Sequence, residues 1–199
     1  MDKVDLKKEF KELYRATARV TRVEPDSGVF LAVDGHGEPG GDQFSSAIEH
    51  LYSVAYTLKF SLKAAGVMDF VVAPLESLWY DNPATVPDPT QWRWRAQIRI
   101  PDAVTEEQAE DARRGVREKG DFDPSDTVRI QWEEGPSVQV LHVGPYDAVS
   151  GTYDQLQAAA KADHLSLTAP GHEVYLSDPR RTEAARLKTI VRMPVTAPE

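Results

Sequence analysis

The sequence contains no cysteine. That excludes disulfides, thiolate metal ligation and a cysteine nucleophile, and it makes a cytoplasmic home the default expectation. No apolar run approaches the ~20 residues that span a bilayer, and the opening MDKVDLKKEF lacks the apolar core of a signal peptide. Blocks of positive charge are missing as well. Against 32 Asp and Glu stand 23 Lys and Arg, for a net charge of −9. The densest basic stretch, Arg113, Arg114, Arg117 and Lys119, is interleaved with Glu110, Asp111 and Glu118, the pattern of a solvated helix face. A surface of this sign repels a phosphate backbone, so nucleic acid is not an expected partner of this chain by itself. The five histidines form no H-E-x-x-H motif, and His164 and His172 stand too far apart across a loop for a usual ligand pair. Neither a metal nor any other cofactor is therefore expected. No G-x-S-x-G supports a serine hydrolase. The run Gly35 to Gly40 fits G-x-G-x-x-G, but Glu38 would repel a pyrophosphate and Pro39 has no amide to donate. No acidic residue ends a strand ~20 residues further on, so the run is read as a turn.

What is present is ordinary globular material, 41% hydrophobic and 28% charged. Residues 5–14 have the pattern of a short amphipathic helix, and 17–23 that of a weak strand. Residues 29–34 read as a buried strand. Asp42 is a plausible N-cap for a long helix whose stripe is Phe44, Ile48, Leu51, Ala55, Leu58 and Leu62, ended by Gly66. Residues 69–80 read as a strand, and Gln91 to Ile100 alternates strictly, with Trp92, Trp94, Ala96, Ile98 and Ile100 on one face. Thr105 with Gln108 is a capping-box pattern that opens a helix to about Lys119. Residues 128–132 and 138–143 suggest a hairpin about Glu134, Gly135 and Pro136. A helix over 148–163 and strands over 172–177 and 188–195 complete the chain.

The second half repeats the element order of the first. Gly35 matches Gly144, the string at Pro74 matches the string at Gly171, and IRIP at Ile98 matches VRMP at Val191. This alignment sets Glu76 against Glu173. The expected fold is α+β, a duplicated strand-helix-strand-strand unit with pseudo-twofold symmetry and helices packed on a mostly antiparallel sheet. One domain would cover residues 1–199, with an extension over 1–28, repeats over 29–101 and 128–195, and a connecting helix over 105–120. A cleft between the halves is the natural place for a ligand.

Four stretches resemble the GyrI-like family, especially its stand-alone branch: Ile48 to Lys63, VVAPLESLWY from Val71, VLHVGPYD from Val140, and GHEVYLSDPRRTEAARLKTIVRMPV from Gly171. The last is the most specific, a strand bearing a glutamate, an SDPRRT turn and a returning strand ending in Met-Pro-Val. The resemblance implies a fold of two strand-helix-strand-strand repeats and the binding of diverse ligands, often aromatic cations. Some members of the family sit behind a DNA-binding domain in multidrug-responsive regulators. A subset similar to this branch hydrolyses the cyclopropane of cyclopropanoid DNA-alkylating natural products within an aromatic cage. Here about 28 residues precede the first repeat and carry no helix-turn-helix, which argues against direct promoter control.

Strand alternation puts Glu173, Tyr175 and Ser177 on one face. The resemblance places Glu173 in the pocket, where a carboxylate among apolar groups would favour a cationic ligand. Read without it, Glu173 is a solvent-facing strand residue. Glu76 either shares that pocket or is a surface carboxylate. Tyr56, Trp79 and Trp94 are the cage members that the resemblance implies, with Tyr146 after Gly144-Pro145 as a further aromatic contact; core packing is the alternative for each. Trp92 and Tyr80 read as packing or rim. Three functions stay open: a small-molecule-binding module for bulky aromatic ligands, a hydrolase in which Glu173 activates water and Tyr56 holds a carbonyl, and a subunit serving a regulatory partner protein.

Overall fold

The computed structural model describes residues 3–120 and 122–197. A short strand β1 (Lys3–Val4) leads into two single-turn helices, α1 (Leu6–Glu9) and α2 (Lys11–Tyr14), and strand β2 (Thr21–Val23). Then follow β3 (Gly28–His36), α3 (Asp42–Ala64), β4 (Asp69–Phe70), β5 (Leu75–Trp79), β6 (Arg93–Ile100) and α4 (Glu106–Lys119). The last third holds β7 (Val128–Trp132), β8 (Ser137–Val143), α5 (Ser150–Ala162), β9 (Ser166–Leu167), β10 (Gly171–Tyr175) and β11 (Lys188–Thr196). The fold is α+β. One antiparallel sheet runs β2-β8-β11-β10-β5-β6-β3-β7, with β9 beside the end of β11, while β1 and β4 form a separate parallel pair.

Local chemistry accounts for most boundaries. Thr105 and Gln108 form the reciprocal capping box at the start of α4. Gly66, at φ 69°, takes the left-handed turn that ends α3. Asp42 differs from expectation: Gly41 holds the N-cap position and Asp42 is the first helical residue, where its charge still complements the helix dipole. The amphipathic stretch at residues 5–14 is two helical turns, because Phe10 leaves helical geometry (φ −106°, ψ 57°) and lays its ring against Arg99. The strand expected over 69–80 breaks before Leu75, where Pro74 has no amide for the ladder.

The expected hairpin of β7 and β8 does not form. β7 pairs with β3 at one edge of the sheet, and β8 lies between β2 and β11 near the other. Only residues 133–136 join them. Five Cα steps reach at most ~19 Å. Six strand spacings across a flat sheet would need ~29 Å. The sheet must therefore curl until its ends approach, and the Trp132 ring lies 5.5 Å from that of His172 on central β10.

The curl gives the sheet two unlike faces. On one, α3 packs Leu51, Val54, Leu58 and Leu62 over Leu31, Val33, Trp94, Ala96 and Ile98, and α5 packs Leu156 over Val138, Val140 and Val191. The opposite face is covered by the N-terminal segment, whose Leu13 and Tyr14 meet Val174 and Ile190. Register then decides the two glutamates. Glu173 pairs with Ser77, and Val174 with Glu76. Paired residues share a face and successive ones alternate, so Glu173 lies on the α3 and α5 side and Glu76 on the N-terminal side. A single pocket receiving both is excluded. Glu76 is instead buried at 3% exposure, accepts from the Tyr14 hydroxyl at 2.7 Å, and pairs with His172 at 3.0 Å.

Candidate functional site

Glu173 occupies the middle of β10, on a strand flanked by β5 and β11 near the centre of the sheet. Its side chain is held from two directions. The Tyr153 hydroxyl, from α5, donates to Oε1 at 3.0 Å, and the Tyr175 hydroxyl, two residues along the same strand face, donates to Oε2 at 2.9 Å. Gly171 makes the first contact possible: a Cβ there would stand 2.9 Å from the Tyr153 hydroxyl oxygen. Across the strands, Ser77 pairs with Glu173 and Thr189 with Tyr175; the buried Thr189 hydroxyl has no hydrogen-bond partner among the described residues, and Ser77 lies within reach of the Tyr175 hydroxyl.

The electrostatics of this carboxylate are unusual. It is 7% exposed. Its hydrogen bonds come from neutral phenols, and no Lys or Arg among the described residues pairs with it. Burial raises its pKa above the ordinary carboxylate range, and the Tyr175 and Tyr153 hydrogen bonds with the charges of His142 and His172 only partly offset that. The phenols respond in turn. Burial, then the Glu173 charge, pushes Tyr153 and Tyr175 well above the usual phenol value. The arrangement can attract a cation to an uncompensated carboxylate, or take a proton from a bound molecule.

Aromatic rings extend outward from this centre. Tyr146 meets Tyr175 edge-on at 5.5 Å between centroids and is 38% exposed. Burial, then the charges of Glu173 and Asp178, raises the Tyr146 pKa. Along α3, Tyr52, Tyr56 and Phe60 stack with successive centroid distances of 6.2 Å. Tyr56 and Phe60 face solvent at this end of the ladder, so Tyr56 lies outside the shell that touches Glu173. Trp79 and Trp94 are on the Glu173 face but are packed as core. Phe44 lies 5.3 Å from Trp79 and 5.1 Å from Trp94, and Trp94, at 1% exposure, fills the space left by Gly35. Of the residues expected from sequence, the structure thus gathers Glu173, Tyr175 and Tyr146, sets Tyr56 and Trp79 at the periphery, puts Trp94 behind Phe44, and removes Glu76.

Two residues escaped the sequence reading. Tyr153 stands three before Leu156 and seven before Ala160, the stripe that α5 buries. Tyr52 precedes Tyr56 by one helical turn on α3. The same periodicity that located the helices could have found both.

Comparison with known proteins identifies the family. A family model described as the GyrI-like small molecule binding domain matches residues 29–196. An uncharacterized conserved protein from Listeria innocua is 37% identical over 98% of this chain and 100% of that one, with a TM-score of 0.91. A hydrolase from Listeria innocua is also 37% identical, over the same shares of the two chains, with a TM-score of 0.88. The EcmrR C-terminal domain is 16% identical over 90% of this chain and 98% of its own, with a TM-score of 0.60, a likeness of fold. No curated protein matches the sequence. The Listeria proteins match nearly the full length, so they share the N-terminal segment that the family model leaves out. No helix among the described residues is long and apolar enough to cross a membrane. With the model spanning most of its length, this chain belongs to the GyrI-like small molecule binding domain family.

Proposed function

We propose that the protein captures bulky aromatic molecules, cationic or polarised, at Glu173, with Tyr153 and Tyr175 holding the carboxylate and Tyr146, Tyr52 and Tyr56 forming the approach. The observation that carries this reading is a central carboxylate, 7% exposed, with two phenol donors and no cationic partner among the described residues. A bound cation would supply the missing charge, and stacked rings contribute ~0.5–2 kcal/mol each through cation–π contact. The Thr189 hydroxyl, without a partner among the described residues, offers a further polar contact. Because Tyr175 is half-buried over the site, a bulky ligand enters by swinging Tyr146 and Tyr175 aside.

The test compares a charged ligand with a neutral one of the same shape, N-methylacridinium and 9-methylacridine, at mildly alkaline pH. Glu173→Gln should weaken the cation by about ten- to a hundredfold, the worth of one poorly screened charged contact, and leave the neutral molecule little changed. Equal losses for both would make the carboxylate structural and end this reading.

A second reading, hydrolysis, is favoured by the Listeria relative described as a hydrolase and by the raised pKa of Glu173, which suits a general base. In it Glu173 activates a water against a strained, electron-poor ring such as that of a cyclopropanoid, and a tyrosine hydroxyl holds the conjugated carbonyl. Product analysis separates the two. Turnover by the native protein that Glu173→Gln abolishes while binding persists selects the enzyme.

The duplication expected from sequence belongs to the same proposal. In its support, β3-α3-β5-β6 and β8-α5-β10-β11 share one element order, and β8-β11-β10-β5-β6-β3 has corresponding strands at equal distances from its centre. Arg99 and Arg192, matched by the IRIP and VRMP strings, are both buried. The repeats would frame one domain with its ligand site between them.

A further inference from the structure

Under the sheet, on the face away from Glu173, lies a cavity of about 20 Å³ lined by Glu76, Glu134, His172, Arg192, Arg99 and Tyr14, among others. That is room for more than the single water that needs ~10–15 Å³. Four of the charged groups compensate one another. His172 stands between the carboxylates, its Nε2 3.0 Å from Glu76 and its Nδ1 3.0 Å from Glu134. Arg192 reaches Glu134 at 2.9 Å and also donates to Gln139 and to the Leu13 carbonyl. Burial alone would discharge His172, but Glu134 and Glu76 outweigh it and raise its pKa to about 9, so the ring is cationic at neutral pH. Two carboxylates then face two cations.

Arg99 is left over. It is 2% exposed, and its Nε and Nη2 are buried with no hydrogen-bond partner among the described residues. Phe10 covers its guanidinium at 3.7 Å and Phe30 stands 5.8 Å away, contacts that satisfy the plane of the group but not its N–H donors. Gly28 leaves space over the guanidinium, where a Cβ would meet its carbon at 2.8 Å. Asp26, at the cavity rim, is exposed and makes no ion pair with Arg99. A buried guanidinium with orphaned donors beside a polar cavity is costly unless something supplies the acceptor.

We infer that this cavity is a binding site for one small monovalent anion of chloride size, held by the Nε and Nη2 edge of Arg99 and closed over by the N-terminal segment. Carboxylate-bearing ligands are too large for the volume, and a dianion would overcompensate the one guanidinium left unpaired inside, with the exposed Asp26 carboxylate already at the rim. The inference is independent of what binds at Glu173.

Two measurements on the full chain test it. Crystals soaked in sodium bromide should show an anomalous peak in the cavity within hydrogen-bonding reach of Arg99. In solution, replacing gluconate by chloride at constant ionic strength should raise the melting temperature, by ~5 °C or more by the time chloride exceeds its Kd a hundredfold. Arg99→Met should melt at a temperature independent of chloride. If that variant does not fold, Gly28→Ala moves the same guanidinium and should blunt the response. A bromide peak without any chloride dependence in solution means an adventitious ion only and overturns the inference. So does a native protein that shows neither. A loss of stability in Asp26→Asn with no chloride response would assign the counter-charge to Asp26 instead.

Discussion

At the scale of single residues, Glu173 combines the proposed binding role with a stability cost. Burial raises its pKa, so the native state holds that proton more tightly than the unfolded chain does. The associated stability is fully present below the ordinary glutamate value and is lost as pH climbs through the raised one. Glu173→Gln removes the ionisation, so the variant should be more stable than the native protein at neutral pH, by about 1 kcal/mol, a common size for relief of a functional-site cost. Urea denaturation at neutral and at acid pH checks this, and the advantage should shrink in acid. Gly171→Ala tests the support of the same group. Its methyl would press on the Tyr153 hydroxyl, the mobile end of a side chain, so the expected cost is about 1 kcal/mol, at the low end for overpacking. The affinity for an aromatic cation should change with it, because Glu173 loses a donor.

Elements differ in how openly the sequence declares them. The capping box of α4 is wholly local, and it stands as read. Thr105→Ala should cost about 1 kcal/mol in chemical denaturation, the usual worth of an N-cap. The stripe of α3 and the alternation of β6 were legible for the same reason, since a helix or strand buries one face at a fixed period. The partners of a strand are not local. Glu134, Gly135 and Pro136 have turn chemistry, yet the strands on either side pair with β3 and β11, and nothing short-range distinguishes a turn from a strap. At the site, Glu173 was visible only through the resemblance of its strand to a family, while Glu76 was misplaced by one step of strand register, enough to exchange the faces of a sheet. The cluster of Glu76, Glu134, His172 and Arg192 left no trace in the sequence, because charged side chains are read as surface until a structure buries them.

For the whole molecule, that cluster contributes stability that is lost on the alkaline side. The folded His172 pKa of about 9 lies above the unfolded value of 6.5, so its contribution is complete below the latter and disappears as pH rises through the former. Thermal melts across this interval should show a steady decline, and a melting temperature that stays level from neutral pH to well above 9 would remove His172 from the account. The net charge of −9 bears on partners instead of fold. Duplex DNA should not bind at micromolar concentration in physiological salt, which a fluorescence anisotropy titration can check. The strap between β7 and β8 has a different bearing on the molecule as material. Loops usually accept inserted residues at little cost, and the exposed segment before β6 is of that kind. Residues 133–136 act more like the closing link of a hoop. Lengthening them would slacken the sheet, draw Glu134 away from His172 and Arg192, and let the curled edges spread. A shape that looks like a property of eight strands thus hangs on four residues outside any of them.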